Sequence, residues 1–163
     1  ASRQWICCRL EFNGRHREVM APNRYTELFF LDEATALAAG HRPCFECRRG
    51  DALAFRSAWM RAFGLDKPPT AIEMDRVLHA GRRASASRKL PRQEAVSTLP
   101  DGVMVEIKPG IAALVVGGRL HRWSFDGYAP YAAAHASGEA TVLTPEPIIA
   151  VLRHGYRPTD WLR

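Results

Sequence analysis

Cysteine is scarce in this chain: 163 residues hold four thiols, Cys7, Cys8, Cys44 and Cys47. Four are too few for a disulfide scaffold at this length. The opening residues Ala1-Ser2-Arg3-Gln4-Trp5 have no signal-peptide pattern. A reducing, cytoplasmic setting is therefore expected, and there paired cysteines more often hold metal or do redox chemistry than cross-link the fold. Lysine is scarcer still, with only Lys67, Lys89 and Lys108 among 23 cationic residues. No apolar run approaches the roughly 20 residues that span a bilayer, which argues against a membrane partner. No internal repeat is visible.

What is present is ordinary globular composition, 47% hydrophobic, with a net charge of +6 and a pI near 9.5. A chain of this size buries roughly two thirds of its unfolded surface and needs no staples. The cationic excess is almost all arginine, which suits bidentate phosphate contacts better than lysine does. A nucleic-acid partner, DNA in the first instance, is expected from charge and its clustering, although a GC-rich genome produces the same arginine bias.

The patterning predicts an α+β fold. Apolar runs on either side of Asn13-Gly14 predict a hairpin, with strands near 4–12 and 15–20. Residues 27–31 read as a short strand or an extended lead-in. Asp32 is a good N-cap, Ala34 to Ala39 favour helix, Gly40 is a fitting stop and Pro43 forbids continuation. A second helix is expected over 51–63, ending at Gly64. A third should open on the capping box Thr70-Ala71-Ile72-Glu73 and run to about Ala80. Residues 81–98 lose hydrophobic period and read as a basic loop or linker. They divide the chain into a cysteine-bearing part, 1–80, and a β-rich part, 99–163. In the latter, strands are expected at 103–107, 111–116, 119–125 and 141–143, with a closing helix at 145–154.

Cys44-Phe45-Glu46-Cys47 carries the chemistry. Two thiols separated by two residues can converge on one point, which is half of a tetrahedral zinc site. Adjacent residues of a regular strand face opposite sides, so Cys7 and Cys8 cannot both join them unless the chain bulges. Cys8 is favoured as the ligand with Cys7 packed in the core, and the reverse stays open. His41, His16 or water would complete the shell. A protein group there makes the site closed and structural, and water makes it open and catalytic. A redox dithiol at the start of the following helix is a further alternative.

The run from Phe29 through Asp32, Ala38-Ala39-Gly40-His41-Arg42-Pro43-Cys44 and Cys47-Arg48 resembles the second half of the N-terminal zinc domain of the Ada DNA-repair protein. That family joins an aromatic lead-in, a short Glu/Ala/Leu helix and Ala-Ala-Gly-aromatic-Arg-Pro-Cys-x-x-Cys. The likeness covers residues 27–49 or so. It implies a Zn2+ site of four cysteines beside DNA, which here means Cys7, Cys8, Cys44 and Cys47, and a role in DNA repair or regulation. In the family the first cysteine accepts a methyl group from a DNA phosphotriester. Two departures stand out: the family's first pair is Cys-x3-Cys where this chain has Cys7-Cys8, and its aromatic position is His41.

Phosphate contacts are expected from Arg82, Arg83, Arg88, Lys89 and Arg92, five cations with no acid between them, and from Arg42, Arg48 and Arg49 around the cysteines. The alternative function is an enzyme acting on nucleic acid or a nucleotide, through an open zinc or a pocket of Asp75, His79 and His121. A third is a protein-interaction module with an acidic partner. Pro100-Asp101 with Glu106-Ile107-Lys108 is a weak echo of the magnesium-dependent nuclease pattern. Arg119 to Tyr128 alternates large groups, so that His121, Trp123 and Phe125 share one strand face beside arginines, which could line a nucleotide pocket.

Overall fold

The computed structural model describes residues 3–14, 19–23, 27–86, 91–131 and 138–159. Helices and a six-stranded antiparallel sheet make a mixed α+β architecture, with a small parallel pair near the N-terminus.

The first helix, α1 (Glu33–Ala38), begins where its sequence says it should. The Asp32 carboxylate accepts from Thr35 N at 2.8 Å, and the Thr35 hydroxyl accepts from Asp32 N, which closes a capping box. Gly40 follows at φ +83°. The next helix, α2 (Arg49–Phe63), starts two residues earlier than the pattern indicates and ends at Gly64 in the left-handed region. In α3 (Ala71–Ala86) the expected Thr70/Glu73 box forms, with Thr70 N donating to the Glu73 carboxylate at 2.7 Å. This helix runs six residues beyond Ala80, into the segment expected to be a loop. Alanine and arginine are good helix formers there, and Gly81 lets the helix pass Pro147, where a Cβ would sit 3.1 Å from the ring.

The N-terminal hairpin is not what orders the first strand. Strand β1 is only Ile6–Cys7 and pairs in parallel with β2 (Arg42–Pro43), Ile6 opposite Arg42 and Cys7 opposite Pro43. Asn13 and Gly14 do form a tight turn, both at positive φ, but most of the second strand expected at 15–20 lies outside the described residues. Residues 27–30 form no strand and lead into α1.

The large sheet contains β3 (Gln93–Ala95), β4 (Met104–Lys108), β5 (Ile111–Val116), β6 (Arg119–Ser124), β7 (Gly127–Pro130) and β8 (Glu139–Val142), in the order β3-β8-β4-β5-β6-β7. A Gly117-Gly118 turn, both residues at positive φ, joins β5 to β6. The last helix is α4 (Glu146–Arg153), with a proline at its second residue.

Alternation along the strands sorts the side chains onto two faces. Val105, Ala113, Val115, Leu120 and Ala140 meet Phe55 and Trp59 of α2, Met74 and Leu78 of α3, and Ile148, Ile149 and Leu152 of α4. On the opposite face Met104 and Leu114 pack on Ala34 of α1, with Trp123 and Tyr128 at the margin. α1 also sends Leu37 into the larger cluster. The core therefore draws on residues from both sides of 81–98. No helix is long and apolar enough to cross a membrane among the described residues.

Candidate metal centre

The parallel pairing of β1 with β2 positions the cysteines. Ile6 faces Arg42 and Cys7 faces Pro43, so the next step of the same register lays Cys8 beside Cys44. Cys44 N donates to Cys7 O at 3.1 Å and holds the two segments together there. Past Pro43 the chain turns through 45–48, and Arg48 N donates to Cys44 O at 3.1 Å. That turn returns Cys47 to the side of Cys44. The Sγ atoms of Cys8, Cys44 and Cys47 all lie within 4.8 Å of one another. A tetrahedral zinc with bonds of about 2.3 Å needs sulfurs about 3.8 Å apart, so small side-chain movements suffice.

The backbone is arranged for sulfur anions. Arg9 N points at Cys47 Sγ at 3.3 Å, and Glu46 N points at Cys44 Sγ at 3.4 Å. Burial pushes the Cys44 thiol up, but hydrogen bonds from the N–H groups of Cys47 and Glu46 and from the Cys47 and Cys8 thiols together outweigh it, and the thiol ends below its ordinary value. Cys8 moves the other way, to about 12, through desolvation first and then the charges of Cys44 and Cys47. Three thiolates this close repel one another. A divalent cation among them removes that repulsion, and a soft, tetrahedral one fits a sulfur donor set. The residues present thus fit a zinc ion. Three close cysteines offer a metal-binding group, with Cys8 exposed and the other two half-buried.

Cys7 stands outside this group, as strand alternation requires. Its Sγ accepts from Arg48 Nη1 at 3.2 Å, and burial pushes its thiol up despite the guanidinium. His41 is not part of the group either. It is buried, with Trp5 tilted against one side of its ring at 5.2 Å and Phe30 edge-on at 4.8 Å. Desolvation, followed by the nearby Arg82 charge, lowers its pKa to about 4. His16 lies outside the described residues.

The arginines expected to face phosphate are largely committed within the fold. Arg42 is buried and makes a two-pronged pair with Asp75, Nε and Nη2 each donating at 2.8 Å. Arg48 is buried too, donating to Glu33 at 2.8 Å and to Asp51 at 3.0 Å. Arg82 stacks on Trp5, 4.1 Å from the ring centroid, and donates to the carbonyls of Gly40 and Arg3. Arg92 pairs with Glu94 and Glu146. In each case a carboxylate or carbonyl distant in sequence claims the guanidinium, which no local reading of charge detects. Arg49 and Arg83 are exposed as expected. Arg88 and Lys89 lie outside the described residues.

The alternative pocket does not assemble. Asp75 is taken by Arg42 rather than His79. α3, which carries His79, packs on one sheet face, while His121 pairs with Leu114 on the other. Asp101 accepts from Gly117 N at 2.7 Å and Glu106 from Gly110 N at 2.8 Å, so both hold turns rather than converge on a magnesium ion.

Sequence reasoning missed the network behind the cysteines. Glu33, buried in the first turn of α1, accepts from Arg48, from the Tyr156 hydroxyl at 2.6 Å and from Thr159 N at 2.7 Å. Its only sequence signal is an acid at a helix start, which reads as routine. No protein-family model, no curated protein and no solved structure matches this chain.

Proposed function

We propose that this chain is a zinc-binding protein associated with nucleic acid, in which Cys8, Cys44 and Cys47 hold one Zn2+ that fixes the N-terminal segment to the α1–α2 connection. The observation that carries the reading is the convergence of three thiols from two chain segments, with backbone N–H groups aimed at two of them. The net charge of +6 and the exposed Arg9 and Arg49 next to the cysteines support a polyanionic partner, with DNA repair or regulation as the setting that the Ada resemblance suggests.

The metal supplies charge neutralisation and a cross-link between residues 36 positions apart. Cys8 is the exposed thiol of the three and is the one that solvent or a partner reaches. Metal analysis of the purified protein should find about one zinc per chain, and cobalt substitution should give intense thiolate-to-metal absorption. Cys44→Ser with Cys47→Ser should abolish both. Wild-type protein purified without zinc that also refuses cobalt would sink the proposal. DNA binding, measured by anisotropy, should weaken steeply as salt rises.

A further inference from the structure

The sheet face beside α1 has a second set of groups that the cysteines do not use. Trp123 on β6 and Tyr128 on β7 are cross-strand partners, so their rings share that face. Phe125, at the tip between the two strands, is 87% exposed and meets Trp123 edge-on at 4.9 Å. His121 and Arg119 continue the same face along β6, opposite Leu114 and Val116. The indole Nε1 of Trp123 is buried without a hydrogen-bond partner, and Asp32 lies beside the Tyr128 phenol. Asp32 caps α1, whose Ala34 packs in the cluster that Trp123 and Tyr128 border. Desolvation raises the Tyr128 phenol strongly, and the neighbouring Asp32 carboxylate adds to it.

We infer that this face binds single-stranded nucleic acid, with an unstacked base against Phe125 and Trp123. An exposed ring beside a half-buried one is a stacking platform, and stacking tolerates any base. Arg119 at the end of the face contacts the backbone phosphate.

The inference rests on the nucleic-acid half of the proposed function and not on the zinc. Its test is fluorescence anisotropy with a labelled mixed-sequence single strand of about 12 nucleotides, with the matching duplex as competitor. Phe125→Ala should weaken single-strand binding by roughly 5- to 100-fold while leaving zinc content and thermal melting unchanged. Trp123→Phe, which shrinks the ring without removing it, should weaken it less. Unchanged affinity in Phe125→Ala would overturn the assignment of the face, with the zinc centre untouched. Stronger competition by duplex than by single strand would overturn it too. If the wild type binds neither form at low salt, this inference and the nucleic-acid reading fall together, and zinc content alone then decides what remains.

Discussion

At the scale of single residues, Arg42 and Phe125 stand at opposite extremes of exposure. Arg42 lies just before Pro43 and Cys44, yet both prongs of its guanidinium are spent on Asp75 inside the protein. Removing one partner of a buried ion pair strands the other charge, which costs about 3–5 kcal/mol. Asp75→Ala should therefore lower stability in urea titrations sharply, whereas Arg49→Ala on the surface should change it by no more than about 0.5 kcal/mol. The Cys-x-x-Cys and its glycine and proline context were legible in the sequence because the signal is local. Asp75 was legible only as a neighbour of His79, because its true partner lies 33 residues away.

His41 gives a pH dependence. Burial among rings keeps its folded pKa near 4, below the ordinary 6.5. The unfolded chain therefore binds a proton between those values that the folded chain refuses, and stability contributed by the neutral imidazole is full above about pH 6.5 and lost as pH falls toward 4. Denaturant titrations of wild type and His41→Phe across that window should show a shallower slope in the variant. Parallel slopes would mean that His41 does not contribute.

At the scale of elements, local chemistry set the ends of helices and non-local pairing set the strands. Asp32, Gly40, Gly64 and the Thr70/Glu73 box mark helix ends where they were expected. β1 was misjudged because Asn13-Gly14 advertises a hairpin, while the strand's partner, β2, is two residues long and follows a helix. Two-residue strands carry no period to detect. The tail of α3 was missed because Arg82 and Arg83 were counted as charge, although Arg82 packs its stem over Gly40 and its guanidinium on Trp5. Gly40 is the sensitive point of that junction. Its φ is +83°, and an added Cβ would sit 2.7 Å from the Arg82 Cγ and Cδ atoms. Gly40→Ala should destabilise the protein by about 1–3 kcal/mol. It should also lower zinc affinity, since the junction leads directly into Cys44; competition with a chromophoric chelator measures the second effect.

At the scale of the molecule, the α+β class and most strands of the sheet were legible, because alternating apolar residues and glycine turns repeat along 103–125. The way the two parts join was not. Phe55, Met74, Val105 and Ile149 share one core although 81–98 separates them in sequence. Stripping zinc with a chelator should therefore lower the melting temperature of the main transition without abolishing it, since that core contains no cysteine.

The contacts of Glu33 set an order in time. Thr159 reaches back 126 residues to this carboxylate, and Tyr156 reaches back 123. Glu33 in turn anchors Arg48, the residue directly after Cys47. On a ribosome the thiols of residues 7–47 emerge long before residue 159 does. Closing so long a loop must await nearly the whole chain. The Glu33 contacts to Tyr156 and Thr159 are thus closed last, after every cysteine of the chain has already emerged.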